Sequence, residues 1–121
     1  MFNNADVSLF DHVYIICGYT DLRLGIPGLA LKIREELHMD PFENSLFLFC
    51  GRKKDRIKAL HYEGDGYLLL YKRLIDGKFR WPQNEEDVRS LSAEQFHRLM
   101  TGFSNDPSIQ KRKSALFQPF S

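Results

Sequence analysis

The sequence has few cysteines, few histidines and no long hydrophobic run. Cys17 and Cys50 both lie in apolar, strand-like segments, and neither they nor the four histidines show the spacing of a zinc site. The apolar runs at residues 13–17 and 46–50 fall far short of the ~20 residues that a membrane-spanning helix needs. No basic segment followed by an apolar stretch opens the chain, so no secretory signal is predicted. We therefore expect a cytoplasmic protein with two reduced, buried thiols, no metal, no cofactor and no membrane contact.

Motifs typical of catalytic sites are also missing. The sequence contains no Gly-x-Ser-x-Gly elbow, no Gly-x-Gly-x-x-Gly fingerprint and no Gly-x-x-x-x-Gly-Lys phosphate loop. Asp21, Asp55, Asp65 and Asp76 are the candidates for a metal-binding set that would serve phosphoryl transfer. Three of the four lie in predicted turns, where aspartate is common for backbone reasons alone. The sequence thus predicts a protein that is not an enzyme, and metal-dependent cleavage of phosphodiesters is kept as an alternative.

The hydrophobic pattern predicts an α+β fold. Apolar side chains at helical spacing predict one amphipathic helix over residues 26–37, and Ser92 with Gln95 forms a capping box that opens a second helix over residues 92–101. Short segments rich in β-branched and aromatic residues predict strands, at residues 13–17, 46–50, 56–63, 67–73 and 78–81. We expect an antiparallel β-meander of about four to five strands packed against the amphipathic helix, with the second, C-terminal helix closing the core. Residues 1–103 would form one domain, and residues 104–121 a flexible tail.

Charge is distributed unevenly along the chain, although the formal net charge is only +1. Residues 1–50 contain three basic residues and seven acidic ones, whereas residues 51–80 contain nine basic residues and four acidic ones. A local field of this kind matters more than net charge for attracting a polyanion. The nine basic residues are the candidate nucleic-acid-binding set: Arg52, Lys53, Lys54, Arg56, Lys58, Lys72, Arg73, Lys78 and Arg80.

The strand period indicates how these basic residues could be presented. Side chains at i and i+2 share a face of a strand, which places Arg56 beside Lys58 and, on a predicted short strand, Lys78 beside Arg80. A two-stranded ribbon can enter a major groove or lie along phosphates with such residues pointing outward. Aromatic residues interleaved with the basic ones would also suit stacking on unpaired bases. The basic hairpin region is therefore predicted to contact DNA.

A second hypothesis is that the chain is a protein-interaction module that never touches DNA. Its anchors would be Trp81, Tyr71 and Phe79 with neighbouring arginines, which are residue types favoured at interface hot spots. The two hypotheses differ in whether charge reversal of Lys53 and Lys54 abolishes binding.

Several segments in order resemble a known family, the accessory TnpB-type proteins encoded by the second reading frame of insertion-sequence-sixty-six transposons. The resemblance covers roughly residues 13–103 and is carried by five stretches: residues 17–30 (CGYTDLRLGIPGLA), 40–42 (DPF), 46–58 (LFLFCGRKKDRIK), 71–82 (YKRLIDGKFRWP) and 91–96 (LSAEQF). It implies a non-catalytic helper protein that is encoded beside a separate transposase and acts in DNA transposition. The partners implied are DNA, the transposase and other proteins of the same element.

The resemblance also draws attention to the loop before the first helix. Thr20, Asp21 and Arg23 match its Thr-Asp-x-Arg segment and are expected to shape that loop. Leu24 and Cys50 depart from the family pattern, because a lysine is usual at the first position and an arginine is frequent at the second.

Overall fold

The computed structural model of the chain describes residues 5–83 and 86–101. A short 3-10 turn at Val7–Leu9 precedes five strands and two helices. The elements in chain order are β1 (His12–Ile16), α1 (Ile26–Glu35), β2 (Ser45–Cys50), β3 (Arg56–Tyr62), β4 (Tyr67–Arg73), β5 (Val88–Leu91) and α2 (Ala93–Thr101). The predicted tail at residues 104–121, and the predicted end of the domain at residue 103, lie outside the described residues.

The five strands form one sheet in the order β4-β3-β2-β1-β5. β1 and β2 are parallel, because the chain crosses back through α1 between them, and all other neighbours pair antiparallel. The predicted α+β class is confirmed, and the antiparallel meander within it consists of β2, β3 and β4. Gly64, with a φ of 95°, provides the left-handed backbone for the predicted turn between β3 and β4.

Each face of the sheet is covered by its own helix. On one face, Leu29 and Ile33 of α1 pack into a cluster with Phe47 of β2. On the other face, Phe96 of α2 packs with Leu48 into a second cluster, called here the α2-side cluster. Since β2 lies in the middle of the sheet, it is buried along its whole length, which explains its continuous apolar sequence.

α1 begins at the predicted residue, and α2 begins at Ala93, one residue after its predicted start. α1 follows Gly25, has proline in its first turn and ends at Glu35, two residues before the predicted end. The chain leaves the helix through His38, whose φ of 56° is left-handed. At the start of α2, the amide of Ser92 donates to Oε1 of Gln95 at 2.8 Å, and the amide of Gln95 donates to Oγ of Ser92 at 3.1 Å. The predicted capping box is therefore confirmed. No helix in residues 5–83 and 86–101 is long and apolar enough to cross a membrane.

The predicted strand at residues 78–81 is wrong. Its alternating aromatic residues, Phe79 and Trp81, are buried in the α2-side cluster, but the segment is bound to a loop instead of a neighbouring strand. The amide of Phe79 donates to the carbonyl of Lys54 at 2.7 Å, and the indole N–H of Trp81 donates to the carbonyl of Ile16 at 2.8 Å. The alternation of aromatic residues therefore predicts the burial of Phe79 and Trp81 correctly but predicts their pairing in a strand wrongly.

β5 was not predicted, since its four residues contain only two apolar side chains. Val88 and Leu91 are half-buried, and the two residues between them are exposed, so no strand period develops. The strand forms because it pairs antiparallel with β1, matching Val13 with Leu91 and Ile16 with Val88. Tertiary pairing, and not local propensity, decides this element.

Candidate nucleic-acid interface

The β2–β3 loop, residues 51–55, carries the densest group of basic residues and is held at several points. The amide of Gly51 donates to the carbonyl of Arg56, and the amide of Lys54 donates to the carbonyl of Gly51. Two further amides, from Leu74 and Phe79, donate to the carbonyls of Asp55 and Lys54 at 2.7 Å. Because these hydrogen bonds fix the backbone of the loop, its basic side chains start from fixed positions.

A first basic cleft, with a volume of about 810 Å³, opens between this loop, the β3–β4 surface and the loop before α1. The pairing register of β3 and β4 determines which side chains form the floor of this cleft. Lys58 of β3 lies opposite Tyr71 of β4, and Arg56 lies on the same face as Lys58. The cleft is lined by five basic side chains and one carboxylate: Arg23, Arg52, Lys53, Arg56, Lys58 and Asp21.

The loop before α1 forms one wall of the first basic cleft. The amide of Thr20 donates to the carbonyl of Cys50 at 2.7 Å, and Thr20 is only 2% exposed. The carboxylate of Asp21 accepts from the backbone amide of Arg23 at 3.0 Å and from its guanidinium at 2.8 Å. These hydrogen bonds from Arg23 lower the pKa of Asp21 from its usual 3.8 to about 2. The structure thus places Thr20, Asp21 and Arg23 together in a folded wall of the cleft.

Two tyrosines are exposed in the first basic cleft, each beside a cation. Tyr19 is 57% exposed, and the guanidinium of Arg52 lies 4.5 Å from its ring centre and donates to its hydroxyl at 2.7 Å. Tyr71 is 53% exposed, and Nζ of Lys58 lies 5.8 Å from its ring centre. Lys58 is itself oriented by donating to the carbonyl of Leu24 at 3.0 Å. Tyr19 is not among the predicted site residues, because nothing in the sequence shows that it lines the same cleft as Tyr71 of β4.

A second basic cleft, of about 1030 Å³, lies between the β2–β3 loop and residues 74–82. Its charged lining consists of five basic side chains and two carboxylates: Lys53, Lys54, Lys78, Arg80, Arg89, Asp55 and Asp76. Lys53 lines both clefts. Gly77, with a φ of 83°, makes the turn that brings Lys78 here, although the chain continues as a loop and not as the predicted strand.

The nine predicted cations therefore do not form one stripe on one face of the sheet. Lys72 and Arg73 line neither cleft, and Lys72 points to the α2 face of β4, where its partial burial lowers its pKa. Arg56 donates to Asp55 at 3.0 Å, and this is an ion pair with both side chains largely covered. The prediction of a single basic face is corrected to two clefts that meet at Lys53.

Acidic side chains collect at the opposite end of the sheet. The end of α1, the start of β2 and the β3–β4 turn all lie there, because the strand directions place them away from the β2–β3 loop. These segments carry Glu35, Glu36, Asp40, Glu43, Glu63 and Asp65. The molecule is therefore electrically polar along the strand direction, with its positive end at the two clefts.

Two arginines that the sequence does not predict as site residues lie beside the second basic cleft. Arg89 of β5 and Arg98 of α2 border a shallow groove of about 400 Å³ with Arg80, and Leu91 and Leu99 supply its apolar lining. Since β5 was not predicted, nothing in the sequence brought these residues together.

The anchors expected of a protein-interaction module are mostly inaccessible. Phe79 and Trp81 are buried in the α2-side cluster, so of the three predicted aromatic anchors only Tyr71 reaches the surface. The prediction that Phe79 and Trp81 form a contact surface is therefore wrong.

The aspartates considered for metal binding are dispersed. Asp21 lies in the first cleft, Asp55 and Asp76 in the second, and Asp65 in the β3–β4 turn at the other end. In residues 5–83 and 86–101, no three histidine, cysteine or acidic side chains are grouped as metal ligands would be. Both cysteines are free, Cys17 is half-buried, and burial raises the pKa of Cys50 to about 12.

These features define a small α+β protein with a helix on each sheet face and its basic residues concentrated at one end. The chain belongs to the family described as IS66 Orf2 like protein, whose family model matches residues 11–110. It is therefore an accessory protein associated with transposition, as the resemblance implied.

Two relatives from Sinorhizobium fredii match over most of their length. The uncharacterized protein y4hO is 39% identical over 90 residues, which cover 74% of this chain and 78% of y4hO. The uncharacterized protein y4jC is 32% identical over 93 residues, covering 77% of this chain and 78% of y4jC. No solved structure matches the chain.

Proposed function

We propose that the protein is a non-catalytic accessory factor that binds DNA of its transposable element through the two basic clefts. The observation that carries the proposal is the lining of those clefts, which together contain nine basic side chains and three carboxylates around a shared Lys53. Clefts lined by one sign of charge focus the field and attract polyanions.

The polarity of the molecule supports the same proposal. Carboxylates at the far end of the sheet repel phosphates, whereas the positive end of the α1 dipole faces the side of the clefts. The protein would therefore approach DNA with the β2–β3 loop leading. Salt should weaken this binding, because each neutralised phosphate releases counterions.

Under this proposal, another protein of the element performs the catalysis. Within the described residues no three metal-ligating side chains are grouped, and burial raises the pKa of both Cys17 and Cys50, which disfavours a thiolate nucleophile. Incubation of labelled DNA with the purified protein and magnesium or manganese should leave the strand intact. Cleavage that disappears in Asp21→Asn or Asp55→Asn would contradict this part of the proposal.

The experiment that tests DNA binding is a gel shift of the element's terminal sequences with matched charge reversals. Lys53→Glu changes the residue shared by both clefts, whereas Arg34→Glu makes the same charge change on exposed α1 surface near Tyr67, at the acidic end. We expect Lys53→Glu to weaken binding at least about fivefold and Arg34→Glu to have less than about a twofold effect. Equal effects of the two reversals would show that binding follows net charge and not the clefts.

A second candidate function is docking on the partner transposase. The groove bordered by Arg80, Arg89 and Arg98 favours it, because arginine beside Leu91 and Leu99 is a composition typical of interface cores. In this case Arg98→Glu should abolish capture of the transposase in a pull-down, and Lys53→Glu combined with Lys54→Glu should not. The reverse pattern would remove this candidate.

A further inference from the structure

The first basic cleft combines positive charge with exposed aromatic surface. Tyr19 and Tyr71 are more than half exposed there, although a tyrosine in a folded domain commonly buries most of its ring. Both rings lie in the same concavity as Arg52, Lys53 and Lys58. The cations would be enough to attract phosphates without any aromatic residue beside them, so charge does not explain why the two tyrosine rings are exposed.

The shape of the first basic cleft argues against insertion into a duplex groove. Arg56, Lys58 and Tyr71 belong to the paired strands β3 and β4, but they line the floor of a concavity of about 810 Å³. Side chains on the floor of a concavity do not project outward as those of a ribbon inserted into a major groove must. Bases inside a duplex are stacked on each other and offer no free ring face. An unpaired strand offers both of the groups that this cleft is equipped to contact, namely phosphates and base faces.

We infer that the first basic cleft binds an unpaired segment of a DNA strand, with bases stacked on Tyr71 and Tyr19 and phosphates at the surrounding cations. The inference rests on the proposed DNA-binding function and specifies its substrate as single-stranded DNA. The volume of the cleft lies within the roughly 300–1,000 Å³ typical of sites for small organic ligands, which leaves space for a few nucleotides.

The cations beside each ring hold it in place for such contacts. Arg52 lies over one face of the Tyr19 ring and donates to its hydroxyl, and Lys58 lies near the Tyr71 ring while it donates to the carbonyl of Leu24. Each ring is thus already oriented beside a positive charge, so a base can stack on the ring while its phosphate reaches a cation. Tyr71 belongs to β4, which is an edge strand of the sheet, so within residues 5–83 and 86–101 no further strand pairs beyond it.

The molecule offers a matched aromatic control at its other end. Phe42 is 55% exposed, close to Tyr71 in exposure, and packs edge-on against Tyr62 with ring centres 5.0 Å apart. It lines neither basic cleft. Stacking at the cleft therefore predicts an effect of changing Tyr71 that changing Phe42 does not share.

The test measures fluorescence anisotropy of a labelled single-stranded oligonucleotide, its duplex form and an RNA of the same sequence. The full chain is compared with Tyr71→Leu, Tyr71→Phe and Phe42→Leu, and thermal unfolding confirms that each variant is folded. Tyr71→Leu should weaken single-strand binding about 5- to 150-fold and weaken duplex binding by a smaller factor, because stacked bases offer no free face to the ring. Tyr71→Phe and Phe42→Leu should each bind the single strand as the unchanged protein does.

The outcomes separate this inference from the proposed function. Binding of duplex and single strand with equal affinity, unaffected by Tyr71→Leu, would overturn the inference and leave DNA binding standing. Absence of binding to either DNA form would overturn the proposed function itself. Tighter binding of the RNA than of the single-stranded DNA would contradict the assignment of DNA as the ligand, and equal losses in Phe42→Leu and Tyr71→Leu would contradict the role of the cleft.

Discussion

Lys54 has an unusual backbone conformation for a residue with a side chain. Its φ of 61° is left-handed, a region that costs most residues about 1 kcal/mol and costs glycine nothing. The conformation is fixed because the Lys54 amide and carbonyl are both hydrogen-bonded, to Gly51 and Phe79. A lysine at this position keeps a cation in the second basic cleft at the expense of backbone strain.

We therefore expect Lys54→Gly to leave the free energy of unfolding within about 0.5 kcal/mol of the unchanged protein, because relief of strain offsets the flexibility of glycine. Lys53→Gly is the control, since Lys53 is outside the left-handed region and should lose about 0.5–1 kcal/mol. Urea unfolding measures both. Equal losses in the two variants would show that Lys54 is not strained.

The Asp21–Arg23 pair can be examined by titration. Hydrogen bonds from Arg23 hold the pKa of Asp21 at about 2, below its usual 3.8, so the charged form favours the folded state. This contribution is present above pH ~4 and is lost as pH falls through about 2. NMR titration of the Asp21 carboxyl should move its pKa upward towards 3.8 in Arg23→Ala, and an unchanged pKa would contradict the pairing.

At the scale of elements, the segments that the sequence predicts well are those whose own side chains decide the outcome. β2 is apolar on both faces because it is central, and α1 carries its buried residues at helical spacing. The sequence does not predict β5, and it predicts a strand at residues 78–81 that does not form. Both errors arise because partners distant in sequence determine the conformation of these segments. Val88 needs β1, and Trp81 is fixed by the carbonyl of Ile16.

The Trp81 contact yields a prediction about the segment that forms the second basic cleft. Trp81→Phe keeps a buried ring but removes the N–H that donates to Ile16 at 2.8 Å, which leaves that carbonyl without this donor in the core. We expect a loss of about 1–3 kcal/mol in the free energy of unfolding. Tyr71→Phe, at an exposed ring, should lose less than about 0.5 kcal/mol in the same urea titration. A Trp81→Phe variant as stable as the unchanged protein would show that the bond does not hold this segment.

At the scale of the whole molecule, the distribution of charge along the sequence predicts that the basic residues are concentrated, but it does not predict that they are divided between two clefts. The block of basic residues at 51–80 does lie at one end of the sheet. Its separation into two clefts depends on the register of β3 and β4, which places Lys58 and Lys72 on opposite faces, and on the loop at residues 74–82. Arg89 joins from a part of the chain with no local excess of positive charge.

The most direct test of the account is the salt dependence of binding to terminal DNA of the element, measured for the unchanged protein and for Lys53→Glu. If about four phosphates are neutralised in the clefts, the logarithm of affinity should fall against the logarithm of salt concentration with a slope near −3.6 for duplex DNA and near −2.8 for a single strand. Lys53→Glu should make that slope shallower by about 1. An affinity that does not change with salt, or a slope that Lys53→Glu leaves intact, would contradict the claim that the basic clefts bind DNA.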